Sequence, residues 1–228
     1  MKLSIVINST KKYASDTLPP LFESLKLAPK ATEESVDIIV IINGFDHFKI
    51  YPTVNNYTFI ETDNNSFNYS GLITVLENPE ILATDHFLFM DDTSKVGPKF
   101  FQCLANIPDI SANQTISALF PSAYLGIYSK TALANHSAHL LQFKNKDYSE
   151  KALQLLKHKT VLYEDSLFHE NEGNHLFFPR KSEPQWGKDH DVYNTGVMRM
   201  PEYYPDLDLT RYKGTWSRHD NLDYTVLP

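Results

Sequence analysis

The sequence predicts an α/β fold: a central, mainly parallel mixed sheet flanked by helices. Three observations lead there. Strand and helix signals alternate through the first half of the chain, the pattern of a sheet with helices on both faces. The segment VDIIVII at 36–42 is a near-continuous apolar run, which is how a strand buried on both faces reads. The segment HFLFM at 86–90 runs directly into two adjacent carboxylates, Asp91 and Asp92.

The elements follow in order. Residues 3–7 form a short β-rich run closed by Asn8, Ser9 and Thr10. A helix is expected over 19–26, with its prolines in the first turn. The strand at 36–42 ends at Asn43-Gly44, and a third strand is expected at 57–61, a helix at 70–77 and a fourth strand at 86–90. Further strands are expected at 116–120 and 124–128. Ser129 is placed to N-cap a helix reaching about residue 142, and 149–158 suggests another. Cys103 falls in an apolar helical stretch and reads as core. From His175 onward Pro, Tyr, Asp and Arg dominate without periodicity, and an ordered but irregular tail is expected.

A chain of 228 residues fits one domain. A net charge of −7 argues against non-specific nucleic-acid binding. The single cysteine allows no disulfide framework. The opening MKLSIVINSTKK is too interrupted for a signal peptide, and no stretch approaches the roughly 20 apolar residues of a membrane span. A cytoplasmic protein is expected, and the sequons at Asn8, Asn56 and Asn113 read as chance. No P-loop and no G-x-G-x-x-G pattern occurs, and His136 with His139 lacks a third ligand nearby.

In parallel sheets ligands bind beyond the carboxyl ends of the strands. Ser9, Thr10, Asn43, Asp63, Asp91 and Asp92 all fall at such ends and are expected to line one crevice. Adjacent carboxylates there repel a diphosphate unless a hard divalent cation, Mg²⁺ or Mn²⁺, sits between them. An acidic strand-ending turn is the plainer reading of the same two residues.

The segment FLFMDDTSKVGPKF resembles the DxD region of GT-A glycosyltransferases. LSIVINST resembles their first nucleotide-binding strand and VDIIVIINGFD their second, and DNNSFNYSGLITVLENPEILATDHFLFMDDT resembles the helix and strand leading into the metal site. The resemblance covers roughly residues 3–100. It implies a GT-A, Rossmann-like domain whose half 1–100 binds the nucleotide-sugar and whose half 101–228 binds the acceptor. It implies transfer of a sugar from a UDP-sugar to a glycan or other hydroxyl acceptor, assisted by Mn²⁺ or Mg²⁺. Thr10 is then expected near the uracil, Asp63 and Asn68 near the nucleoside, and Asp91 and Asp92 at ribose, metal and diphosphate, with Asn43 among the nucleotide-binding residues. The sequence departs from the family pattern at two places: Asn8-Ser9 replaces the usual proline after the first strand, and Thr93 stands at the third acidic position. Two registers remain open, with either Asp92 or Asp91 as the principal metal ligand.

VLYEDSLFHENEG at 161–173 resembles the segment that supplies the general base in inverting enzymes of this type, with Asp165 first and Glu164 second. An acid-rich helix start is the alternative. In the tail, the resemblance implies His190 or Asp191 as a further metal ligand, and Lys213 or an arginine is expected at the diphosphate, with Tyr203, Tyr204 and Trp216 against a sugar face. Two other functions are weighed. A sugar-1-phosphate nucleotidyltransferase calls for a Gly- and Arg-rich loop after the first strand, where this chain has NSTKKYAS. A catalytically silent nucleotide- or glycan-binding domain is separated from the enzyme readings by a donor-hydrolysis assay.

Overall fold

The computed structural model of the chain describes residues 2–29, 36–118, 124–147, 149, 151–152, 155–156, 175–178 and 191–214. Its centre is an eight-stranded sheet in the order β3-β4-β2-β1-β5-β8-β7-β9. The strands are β1 (Leu3–Thr10), β2 (Ile38–Asn43), β3 (Lys49–Ile50), β4 (Tyr57–Thr62), β5 (His86–Asp91), β7 (Thr115–Ala118), β8 (Leu125–Ser129) and β9 (His175–Phe178). β4, β2, β1 and β5 run parallel to one another, and β8 pairs antiparallel with both β5 and β7. A second, antiparallel sheet joins β6 (Ser94–Val96) to the hairpin β10 (Arg199–Tyr204) and β11 (Leu209–Gly214). The mixed, mainly parallel sheet is the one expected.

Alternation along the central strands sends side chains to two cores. Ile5, Ile7, Leu88 and Met90 face α1 (Ala14–Leu27), which buries Leu18, Leu21 and Leu25 against them. Val6, Phe87 and Phe89 face α2 (Tyr69–Glu77), which buries Leu72 and Ile73. α2 sits close on the sheet because its third residue is glycine: a Cβ on Gly71 would lie 2.6 Å from Phe89 Cε2.

Several expectations are corrected. β1 runs on through Asn8, Ser9 and Thr10, because its parallel ladder continues opposite Ile41, Ile42 and Asn43. α1 begins at Ala14, so Pro19 and Pro20 lie inside the helix and not in its first turn. Each proline frees the carbonyl four residues back, here of Ser15 and Asp16, both exposed residues whose carbonyls water can reach. The helix expected after Ser129 is two short ones, α4 (Lys130–Asn135) and α5 (Ser137–Leu141), broken at His136, although the Ser129 side chain does accept from Ala132 N. Between β6 and β7 lies α3 (Phe100–Ala105), which carries Cys103. The helix expected at 149–158 lies largely outside the described residues. The tail is not irregular where it is described. Residues 175–178 add a parallel strand beside β7, and 199–214 form the hairpin. No helix among the described residues is long and apolar enough to cross a membrane.

Candidate active site

The chain passes from β1 to β2 and β4 on one side, then returns to place β5 on the other side of β1. The point where strand order reverses is therefore between β1 and β5, where open α/β sheets bind ligands beyond the strand ends. Asn8 lies opposite Asp91 and Thr10 opposite Asn43 in the two ladders. Three of the expected polar residues, Thr10, Asn43 and Asp91, thus stand together with Asn8 at one end of the sheet.

Adjacent residues on a strand point to opposite faces, and this separates the acidic pair. Asp92 shares the α1 face with Ser9. It is 7% exposed, and its Oδ2 accepts from Ser9 Oγ at 2.6 Å and from Thr17 Oγ1 of α1 at 2.5 Å. Burial pushes its carboxyl above the usual range; the Ser9 and Thr17 hydroxyls, the Arg199 charge and the Thr93 N–H oppose this without cancelling it. Asp92 thus ties β5 to β1 and α1. Asp91 shares the α2 face with Asn8, its side chain 11% exposed, and its Oδ2 lies 3.7 Å from Arg211 Nε. Arg211 also donates from Nη1 to Glu202 Oε2 at 3.2 Å, and its guanidinium lies 4.1 Å from the Tyr124 ring centroid. Burial disfavours the Arg211 charge, but Asp91 and Glu202 outweigh it and hold the group still further on the cationic side.

The remaining expected residues distribute as follows. Asn43 is buried and donates to Ser9 O at 2.8 Å, while its own carbonyl accepts from Lys11 N at 2.8 Å. It shapes the turn after β1. Gly44, at φ +100°, follows Asn43 at the end of β2 and packs against that turn, where a Cβ would lie 3.3 Å from Lys11 Cβ. Thr10 stands half-buried at the end of β1. Asp63 forms an ion pair with Lys146. Asn68 stands before the first turn of α2, half-buried, with no side-chain cap bond. Asp191 accepts from Thr195 N at 2.9 Å and Gly196 N at 2.7 Å. Burial raises its carboxyl, but the N–H groups of Thr195, Gly196 and Tyr193 prevail and leave it below the usual range. Lys213 is exposed on β11. Tyr204 is buried and donates to Glu202 Oε2 at 3.2 Å, so its ring is closed to a sugar; Tyr203 is tied to Asp208 Oδ1 at 2.9 Å. Glu164, Asp165, His190 and Trp216 lie outside the described residues.

Sequence reasoning missed three contributors. Asn8 Oδ1 accepts from Gly71 N at 3.0 Å and so seats α2 on β1. Asn145 holds the loop between β4 and α2: its Nδ2 donates to Asn65 O at 3.1 Å, its N to Ser66 Oγ at 3.0 Å, and its carbonyl accepts from Asn65 N at 2.6 Å. Glu202 anchors Arg211. Asn145 and Glu202 belong to no motif, and Asn8 lies within LSIVINST but acts on the backbone of Gly71, distant in sequence.

No group of three or more His, Cys, Asp or Glu able to hold a metal ion forms among the described residues. Magnesium and manganese are commonly held by one or two carboxylates, with phosphates and water completing the shell. The donor set fits that arrangement, with Asp91 as the carboxylate at the strand-order reversal, and forms no all-protein cage among the described residues.

No protein-family model matches the chain, and no curated protein does. Among solved structures it is similar to the glycosyltransferase GlyE of Streptococcus pneumoniae TIGR4, with 13% identity, a TM-score of 0.49, and coverage of 78% of this chain and 46% of that one. It is also similar to the galactosyltransferase LgtC in complex with donor and acceptor sugar analogues, with 12% identity, a TM-score of 0.45, and coverage of 77% and 73%. A glycosyltransferase involved in glycosylation of the major capsid of PBCV-1 matches with 15% identity, a TM-score of 0.44, and coverage of 76% and 80%. The chain spans about half the length of GlyE. A likeness at this level assigns neither family nor activity, and the crevice's own residues carry the functional reading.

Proposed function

We propose that the protein is a glycosyltransferase of the GT-A type that moves a sugar from a UDP-sugar to a hydroxyl acceptor, assisted by Mn²⁺ or Mg²⁺. One observation carries the reading: the carboxyl ends of β1, β2 and β5 meet at the strand-order reversal with Asp91 at their edge. The choice of UDP, and of a divalent cation, rests on the resemblance of the LSIVINST, VDIIVIINGFD and DDT segments.

In this reading Thr10, Asn43 and the loop at 63–68 frame the nucleoside, and Asp91 faces the diphosphate with the cation. When bound, the cation supplies positive charge to the departing diphosphate. Asp92 keeps β1, β5 and α1 in register. Lys213, exposed on β11, is the candidate to meet phosphate charge. Asp165, or failing that Glu164, takes the acceptor hydroxyl proton if the transfer inverts the anomer. His190 and Asp191 are the candidates for a further ligand to the cation; Asp191 would have to release its bonds to Thr195 and Gly196 to serve.

The test is calorimetry of UDP with manganese and with EDTA, alongside donor hydrolysis in the same buffers. The expected result is binding at least tenfold tighter with manganese, together with slow hydrolysis of a UDP-sugar. Equal affinity in both buffers sinks the cation bridge. Tight binding without any transfer or hydrolysis leaves the chain a nucleotide-binding domain only.

A further inference from the structure

Resting on that reading, we propose that Phe67 is a specificity-determining residue: its ring covers the base of the donor nucleotide and selects a nucleoside diphosphate over a bare diphosphate. The backbone supplies the first observation. Among the described residues, the non-glycine residues with positive φ are Asn55, Asn56, Asn194, Asp208 and Phe67. Asparagine and aspartate tolerate that region, whereas a bulky side chain there is an outlier. Phe67 takes φ 50°, while the adjacent Asn68, which would adopt it at lower cost, has a helical φ of −65°. Strain of this kind persists only where the surroundings over-determine it, and it gathers at ligand sites.

Burial supplies the second. Asn64, Asn65 and Ser66 are 2%, 9% and 0% exposed, whereas Phe67 is 36% exposed. The loop between β4 and α2 therefore buries its polar side chains and displays its aromatic one, the reverse of what core packing asks. The buried neighbours act as a clamp. Ser66 N donates to Ser70 Oγ at 2.7 Å, Ser66 O accepts from Tyr69 N at 3.0 Å, and Phe67 O accepts from Ser70 N at 3.1 Å. The third observation is place. Phe67 O also accepts from Asn8 Nδ2 at 3.4 Å, and Asn8 lies opposite Asp91 and two residues before Thr10 on the same face of β1. The strained residue thus stands at the strand end that carries both the carboxylate assigned to the diphosphate and the threonine assigned to the base. Every base has a flat π-face, so stacking on an aromatic ring tolerates any of them. Phe67 contributes affinity for a nucleoside and leaves the choice among bases to the polar groups around it.

Three variants test this. Phe67→Asn accepts the backbone conformation and removes the ring, Phe67→Leu keeps apolar bulk without a flat face, and Phe67→Tyr keeps the face. Each is checked by thermal melting and titrated in manganese with UDP, and with inorganic pyrophosphate in competition against UDP. The expected result is a loss of about tenfold or more in UDP affinity for the asparagine and leucine variants, with the tyrosine variant within about threefold of the parent and pyrophosphate affinity within about twofold throughout. Parent-like UDP affinity in either folded ring-less variant overturns the proposal. So does an equal loss for UDP and pyrophosphate, which a displaced α2 or a disturbed cation site would produce. If Phe67→Asn does not fold, Phe67→Leu decides; if neither folds, the ring is a structural element and the proposal falls. A parent that does not bind UDP removes the underlying reading along with this one, whereas a parent that binds UDP and is matched by its variants removes only the role of Phe67.

Discussion

The two adjacent aspartates are chemically identical and structurally opposite, and replacing each by asparagine separates their roles. Asp92 is buried and accepts from Ser9 and Thr17 on one oxygen. Asp92→Asn keeps an acceptor there. It exchanges hydrogen bonds to a charged group for neutral ones, a loss of about 1 kcal/mol, and it removes the burial penalty that raises the carboxyl. The two effects oppose, so the net change is expected to stay within about 1 kcal/mol, or about 4 °C of melting temperature for a domain of this size. Asp92→Ala removes the acceptor and leaves the Ser9 hydroxyl buried without it, at about 2–3 kcal/mol and a melting temperature lower by roughly 5–10 °C. Asp91→Asn retains the fold, because Arg211 keeps Glu202, but lowers manganese-dependent UDP affinity at least tenfold, which is about 1.4 kcal/mol. Thermal melts and UDP calorimetry with manganese and with EDTA read both effects. A folded Asp92→Asn that loses tenfold or more of its manganese-dependent affinity would refute the reasoning and return the metal to Asp92.

Three further outcomes are expected. Gly71→Ala places a methyl 2.6 Å from a ring carbon of the fully buried Phe89 and 3.0 Å from Asn8 Oδ1. Overpacking of about 1–3 kcal/mol outweighs a helix-propensity gain of up to about 1 kcal/mol, so the melting temperature falls, and an unchanged or raised value would show that α2 does not rest on β5 as described. His47 lies between Asp46 Oδ1 at 2.9 Å and Glu61 Oε2 at 2.7 Å, and these carboxylates raise its imidazole above the ordinary value. Its contribution to holding the loop after β2 is full below the unfolded value and is lost as pH rises through the folded one; NMR titration of the ring should show the elevation and Glu61→Gln should diminish it, and a ring titrating at the ordinary value would contradict the contact. Asp165→Asn should lower turnover by about 10² or more if the product anomer is inverted, with donor affinity unchanged; an inverted product made at full rate would move the search to Glu164.

How much of this was legible in the sequence follows from what each residue faces. The parallel strands announce themselves because both faces are apolar, and VDIIVII and HFLFM need no context. The polar end of β1 is hidden, since Asn8, Ser9 and Thr10 are held by ladder bonds to β2 and β5 that no local pattern reports. The hairpin at 199–214 does alternate, with Met200, Glu202 and Tyr204 inward on one strand and Leu209 and Arg211 on the other. Its period is obscured because two inward positions are charged and neutralise each other, so a hydrophobicity pattern sees tail where the structure has sheet. The acidic pair was visible, and its division was available from strand alternation alone: Asp91 falls in phase with Phe89, Asp92 with Met90.

The hairpin's charged core in turn explains why its position has to be fixed so firmly. Arg211 can stand 3.7 Å from Asp91 only if β11 is held to β6 along its length, since a slip of one residue would turn Arg211 to the other face. The register is set at the hairpin tip by contacts that make no use of the charged pair. Gly97 N donates to Asp208 O at 2.6 Å, Lys99 N to Asp208 Oδ2 at 2.8 Å, and Tyr203 Oη to Asp208 Oδ1 at 2.9 Å. A side chain on Gly97 would collide with that carboxylate, so the glycine is what allows the tip to close over the start of α3. Asp208 itself takes a left-handed backbone at φ 46°, a conformation that aspartate tolerates better than most residues. The strained turn and the missing Cβ together pin Leu209 opposite Val96, Thr210 opposite Lys95 and Arg211 opposite Ser94. That ladder is what delivers a cation from near the end of the described chain to a carboxylate at the end of its fifth strand.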